Sequence, residues 1–366
     1  MAEVLQPGQQ IRPVISVPEA TSLVEKIYGV QVDNIKELDA YDDKNYHIIV
    51  KSQPSNESLK SVWPHGYVFK ILNSMDSKKV SYVDAQNQMM LHLTKNGIRC
   101  TQPLPNKGGD LFSIEEINGS RHIIRLLQFE PGQILYNVPV NPELCSQTGI
   151  FLAQINTALE DFQHPAYDDH STIWALDSVP KLTNFLFAVT DEGQKNLAGL
   201  VIAAFVERVV PLIGQLPKGM IHGDFNEHNI LVRQFSEQWV SDGVLDFGDT
   251  QVNCYLFEVA LAACYMMLMA KEKLTPLQAG TLVVAGYHKL RPLSSKELCL
   301  MRVCICARLC QSLVLGLYSH SQDPSNTYVL QTAQSGSGWT ILENTWKLSD
   351  EEFSKALLQA IDNLKK

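Results

Sequence analysis

Short apolar runs fill the first third of the chain, and longer amphipathic ones fill the rest. Tyr46-His-Ile-Ile-Val50 and Tyr67-Val-Phe-Lys-Ile-Leu72 are rich in β-branched and aromatic residues, and each predicts a strand. Ser52 to Ser61 between them reads as a polar turn. His122 to Phe129 is a strongly apolar strand that stops at Glu130-Pro-Gly132. A loose leader over residues 1–17 precedes a short helix from Thr21 to Tyr28, ended by Gly29. Val80 to Leu93 carries helical spacing, with Val83, Asn87, Met90 and Leu91 on one recurring interval. After Gly132 the texture changes. Pro142 to Phe162, Gln194 to Leu212, Phe257 to Leu317 (punctuated by Pro276 and Pro292) and Phe353 to Leu364 predict helices. Ile221 to Val232 and Val240 to Phe247 bracket a strand-and-loop region among them. Strands first and helices second is the α+β layout. It predicts a strand-rich N-terminal lobe over residues 1–131 and a larger helical C-terminal lobe over residues 132–366, with a cleft where they meet.

Composition narrows the function classes. At 366 residues, 45% hydrophobic and 19% charged, the chain can bury a sizeable core and is not a disordered one. A net charge of −9 disfavours a general nucleic-acid binder. Met1 to Val17 has the pattern of neither a secretory signal nor a transit peptide. The apolar run Val259 to Ala270 is short for the ~20 residues of a membrane span, and residues 299–318 carry Arg302 and Arg308. The expectation is a cytoplasmic protein with neither membrane nor nucleic-acid partners. Four of the eight cysteines crowd into residues 299–310 without a CxxC pair or a nearby His, which favours buried reduced thiols over a metal cluster.

The chemistry gathers in Met220-Ile-His-Gly-Asp-Phe-Asn-Glu-His-Asn-Ile-Leu-Val232 and Val244-Leu-Asp-Phe-Gly248. Asp224, then Asn229, then Asp246 after a hairpin-length gap is a phosphoryl-transfer order. One carboxylate must take the proton of an attacking hydroxyl, while a carboxamide oxygen and a second carboxylate hold Mg²⁺ against nucleotide phosphates. Few protein ligands are needed, because phosphate and water complete the shell of this hard cation. Upstream, Lys70 lies mid-strand between apolar residues and suits the α- and β-phosphates; its alternative is a solvent-facing edge lysine. A helical acid usually orients such a lysine, and Asp84 is the better placed candidate, ahead of Asp76.

His222-Gly-Asp224 with Asn229, followed by Leu245-Asp-Phe-Gly-Asp249, resembles the aminoglycoside phosphotransferase family of small-molecule kinases. Tyr41-Asp-Asp-Lys-Asn-Tyr46, Arg125-Leu-Leu, Phe257-Glu-Val-Ala260 and Arg308-Leu-Cys-Gln-Ser-Leu-Val314 resemble one branch of it, which phosphorylates a hydroxylated amino acid with GTP. The resemblance spans about residues 20–350. It implies a two-lobed protein-kinase-like fold, Asp224 as catalytic base, Asn229 and Asp246 as Mg²⁺ ligands, GTP or ATP as co-substrate, and a small amino-alcohol as acceptor. The chain departs from protein kinases in having no glycine between Gly29 and Gly66, Asn at position 226 where they carry Lys, and no Ala-Pro-Glu segment after Asp246. These departures argue against a protein substrate.

A cationic acceptor wants carboxylates near Asp224. Asp249 and Glu258 are available, though either can instead cap or brace the loop. An acceptor carboxylate wants a cation. Arg308 or Arg302 could serve, or each could be a buried structural arginine paired with an acid.

Overall fold

Gly29 sits at φ 63°, a left-handed conformation that stops the first helix, α1 (Val17–Tyr28). A Ser16–Glu19 capping box starts that helix four residues before the sequence pattern suggests. The computed structural model describes residues 10–51, 55–59, 61–168, 170–271, 274–334 and 338–365. Most of the leader and part of the expected 52–61 turn therefore lie outside the described residues. The chain divides into two units. One holds the described part of Glu3–Pro131 together with His164–Tyr167; the other holds Gly132–Gln163 and the described part of Asp168–Lys366.

In the N-terminal unit α1 is followed by β1 (Val32–Leu38), β2 (Lys44–Val50), β3 (Tyr67–Ile71), α2 (Val80–Lys95), the two-residue β4 (Arg99–Cys100), β5 (Ser113–Ile117) and β6 (Ser120–Gln128). Five of these strands form an antiparallel sheet in the order β1-β2-β3-β6-β5. Alternation along β2 turns Tyr46, Ile48 and Val50 inward, where they meet Phe69, Ile71, Ile124 and Leu126 from the neighbouring strands and Val24 and Tyr28 from α1. β3 lies between β2 and β6, so Lys70 is a buried residue of a central strand and not an edge lysine.

The C-terminal unit begins with β7 (Gln133–Ile134) and α3 (Pro142–Ala158), then a long 3₁₀ run (Leu176–Ala188) and α4 (Glu192–Arg208). The 3₁₀ run contains Pro180 and has no counterpart in the sequence reading. Pro211 ends α4 earlier than its apolar spacing suggests, because a proline has no N–H to continue the ladder. Next come β8 (Lys218–Ile221), β9 (Ile230–Phe235), β10 (Gln238–Val244), β11 (Gln251–Cys254), α5 (Tyr255–Met269), α6 (Pro276–Leu290), α7 (Ser295–Gln322), the single turn α8 (Gln331–Gln334), α9 (Gly338–Lys347) and α10 (Asp350–Asn363).

Two glycines let α3 and α6 cross closely. A Cβ at Gly149 would stand 2.0 Å from the Val283 carbonyl oxygen, and one at Gly286 would stand 2.0 Å from that of Ser146. α5 is buried from Leu256 to Met267, and α7 from Leu300 to Gly316, so both are core helices. Seven cysteines are buried and Cys299 is exposed. Burial pushes the Cys145 and Cys306 thiols up to about 12, which leaves them unreactive. Among the described residues no group of His, Cys, Asp or Glu forms a metal cluster.

Candidate active site

A hairpin and the antiparallel strand pair that encloses it bring the separated motif residues of the C-terminal unit together. β9 and β10 turn through Ser236 and Glu237, both at positive φ (46° and 69°), as a tight two-residue hairpin loop requires. Their register pairs Val244 with Ile230. Asn229 and Leu245-Asp246 therefore leave the same end of the hairpin, and the Leu245 N–H donates to the Asn229 carbonyl at 2.8 Å. The β9–β10 hairpin is inserted between β8 and β11, which pair Ile221 with Gln251 and so set His222-Gly223-Asp224 against Asp249-Thr250. Gly223 is needed here. It has φ +81°, and a Cβ would stand 2.1 Å from the Asp249 carbonyl oxygen.

His222 joins the two strand pairs. Its Nε2 lies 2.9 Å from the Leu245 carbonyl, and its Nδ1 lies 3.3 Å from the Asp224 N–H. A carbonyl can only accept and an N–H can only donate, so the ring is the neutral tautomer with the proton on Nε2. Burial agrees, pushing His222 down to about 4.

The Asp224 carboxylate is held at both oxygens. Asn229 Nδ2 donates to Oδ2 at 2.8 Å and to the Asp224 carbonyl at 2.9 Å; Arg308 Nη2 donates to Oδ1 at 3.4 Å. Burial pushes Asp224 up to about 6, with the Arg308 guanidinium opposing. At neutral pH the group is ionised yet basic enough to accept a hydroxyl proton, and its side chain stays 25% exposed and reachable.

Asn229 and Asp246 fit a hard divalent cation. Both Nδ2 donations of Asn229 run toward Asp224, so its Oδ1 faces away as an acceptor. Asp246 is exposed at φ 54°, and its Oδ1 accepts from the Gly248 N–H at 3.1 Å, which fixes the carboxylate. One carboxamide and one carboxylate oxygen match Mg²⁺ whose other ligands are phosphate and water.

The structure also shows the alternatives taken by the remaining candidates. Glu258, on the first turn of α5, is fully buried and accepts from the Gly223 N–H at 3.2 and 3.4 Å; burial pushes it up to about 8. It braces the catalytic loop as a neutral acid. Arg308 is 2% exposed and gives its donors to the chain: Nη1 to the Trp174 carbonyl (2.9 Å) and Gln311 Oε1 (3.0 Å), Nη2 to Tyr265 OH (3.3 Å) and Asp224. Arg308 thus pairs with the Asp224 carboxylate, the buried structural role that was its alternative in the sequence. Arg302 is bound to Asp350 at 2.7 Å. Asp249 is half-buried and accepts from Thr172 Oγ1 at 3.4 Å.

In the N-terminal unit Lys70 has a different partner from the one expected. Its Nζ lies 3.1 Å from Asp43 Oδ2, whereas Asp84 is 43% exposed and lies 3.7 Å from His164 Nε2. The buried face of α2 carries Asn87, which accepts from Arg125 Nη1 at 3.2 Å. Asp76 is engaged by Asn73 and Lys79. Sequence reasoning missed Asp43, because its place beside Lys70 depends on the folded register: Asn45 lies opposite Lys70, and period two puts position 43 on the same face.

A carboxylate held by a carboxamide, with a second carboxylate at the same end of the β9–β10 hairpin, is the arrangement of a class: the kinase-like phosphotransferases. The model of the phosphotransferase enzyme family (APH) matches residues 52–293. A hydroxylysine kinase from Xenopus laevis is 33% identical, with 96% of this chain and 95% of that protein covered, and one from Bos taurus is 32% identical, with 93% of each covered. The solved amicoumacin kinase hAmiN, in complex with AMP-PNP, Ca²⁺ and Ami, superposes with a TM-score of 0.65 at 13% identity, over 93% of this chain and 94% of that one. The chain belongs to the phosphotransferase enzyme family. It is a phosphotransferase acting on an alcohol group, with the α+β layout that the sequence pattern predicted and the kinase-like fold that the family resemblance implied.

Proposed function

We propose that this enzyme transfers the γ-phosphate of GTP to the hydroxyl of 5-hydroxy-L-lysine. The observation that carries the reading is the convergence of Asp224, Asn229 and Asp246 at the ends of two antiparallel strand pairs, in a chain about one-third identical over its length to hydroxylysine kinases. Asp224 accepts the hydroxyl proton as the alkoxide oxygen attacks the γ-phosphorus. The bond from that phosphorus to the β–γ bridging oxygen breaks, and the nucleoside diphosphate leaves. Asn229 Oδ1 and Asp246 hold Mg²⁺, which neutralises phosphate charge. Lys70 binds the α- and β-phosphates, so the N-terminal unit is the nucleotide-binding one and the C-terminal unit carries the acceptor site. Asp249 receives an acceptor ammonium group. Buried, reduced thiols fit a cytoplasmic enzyme.

The test is an assay of purified protein with GTP and with ATP against hydroxylysine, lysine, homoserine, choline and an aminoglycoside. Transfer to hydroxylysine with none to lysine, and faster with GTP, is the expected result. Transfer confined to another alcohol would replace the acceptor, equal or better use of ATP would replace the donor, and nucleotide binding without turnover on any alcohol would make the protein a binding module.

A further inference from the structure

We infer that Asp43, in the turn between β1 and β2, is the positioning residue that aims Lys70 at the nucleotide phosphates, the task the helical acid performs in other kinases. The inference rests on the phosphate-binding reading of Lys70 and goes beyond it by naming what holds the lysine in place.

Lys70 and Asp43 are both largely withdrawn from water, with side chains 9% and 18% exposed, and their charged atoms lie 3.1 Å apart. Asp43 is itself fixed. Its Oδ1 accepts from the Asn73 N–H at 2.8 Å and from Asn73 Nδ2 at 3.1 Å. Asn73 is buried and anchored in turn, its Oδ1 accepting from the N–H groups of Met75 and Asp76 and its Nδ2 donating to Asp76 at 2.8 Å. One carboxylate oxygen is thus tied to the segment after β3, and the other faces Lys70, so the acid that meets the ammonium is anchored just beyond the end of the lysine's own strand. A carboxylate tethered this way is part of a frame. A mobile acid standing in the phosphate position would have no such anchors.

The helix offers no substitute. Asp84 turns to His164, and Asn87 spends its carboxamide oxygen on Arg125, which lies opposite Lys70 in the sheet register. Lys70 is therefore oriented by its own sheet and turn, without an acid from α2. The turn is acidic where a glycine-rich phosphate cover would be neutral, and this pairing gives one of its acids a role.

Five variants decide the matter, each measured for nucleotide KM, acceptor KM and melting temperature. Asp43→Asn keeps an acceptor for the Asn73 N–H but loses the charge facing Lys70. It is expected to raise nucleotide KM about tenfold, the scale of one charge-assisted hydrogen bond, while acceptor KM and melting temperature hold. Asp43→Glu, which restores the charge, is expected to recover most of the affinity. In a Lys70→Met background, Asp43→Asn is expected to add no further loss, since the two act as one unit. An Asp43→Asn enzyme with unchanged nucleotide KM overturns the inference, and so does one that binds nucleotide more tightly, which would mean the carboxylate competes with phosphate. A loss seen in Asp84→Asn and absent from Asp43→Asn returns the role to the helix. Lys70→Met is the separate arm: an unchanged nucleotide KM there removes the phosphate reading of Lys70, and with it the role given to Asp43.

Discussion

Asp224 is flanked by two donors of different kinds, and that sets what each substitution does. The Asn229 carboxamide fixes Oδ2 and the Arg308 guanidinium approaches Oδ1, so the carboxylate has one orientation. Asp224→Asn keeps the shape and loses the proton acceptor. Turnover is expected to fall ~10²–10⁴-fold, while nucleotide affinity measured by direct titration holds; turnover within a few-fold of the parent enzyme would remove Asp224 as the base. At this scale much was legible in the sequence. Asp224, Asn229 and Asp246 stand out because the chemistry dictates residue types in a fixed order. The partners of Lys70 and Arg308 were not legible, because they depend on which side chains the folded backbone brings opposite. Asp43 is 27 residues from Lys70, and Arg308 is 84 residues from Asp224.

The site depends on hairpin registers at the element scale. The pairing of β9 with β10 sets Asn229 beside Leu245-Asp246, and that of β8 with β11 sets His222-Gly223 against Asp249. Strand runs and the gap before Asp246 suggested the β9–β10 hairpin, but its left-handed Ser236-Glu237 turn has no glycine to announce it, and β11 is too short for its pairing with β8 to stand out. Asn229→Ala and Asp246→Ala each remove one oxygen from the cation site and leave the β9–β10 backbone pairing intact. Both are expected to need a higher Mg²⁺ concentration for half-maximal turnover, with little change in far-UV circular dichroism. A Mg²⁺ titration that overlays the parent curve for both variants would exclude these residues as ligands. Asn229→Ala also frees Asp224 Oδ2, so its turnover at saturating Mg²⁺ is expected to fall below that of Asp246→Ala.

Across the whole molecule, stability should depend on pH through groups that the fold buries neutral. Glu258 and Glu227 are both raised from 4.5 to about 8, with burial the largest cause. Between those values the folded chain binds more protons than the unfolded chain, so stability falls as pH rises. His222 is lowered from 6.5 to about 4, again by burial. There the unfolded chain binds more protons, so stability rises with pH over that interval and is constant above it. The opposing slopes overlap up to about pH 6.5; from there to about pH 8 only the glutamates contribute, and the melting temperature is expected to decline. Glu258→Gln isolates one of them. A carboxamide oxygen still accepts from the Gly223 N–H, so the brace survives, but nothing at that position ionises. The variant should come closest to the parent enzyme below about pH 4.5 and melt progressively higher than it toward pH 8, by roughly 2–4 °C for each kcal/mol of stability the parent loses. Parallel melting curves from pH 5 to 8 would mean that Glu258 is ionised in the folded enzyme. Its carboxylate would then be a charge beside Asp224 in the acceptor site, and the cationic-acceptor role weighed for it from the sequence would return.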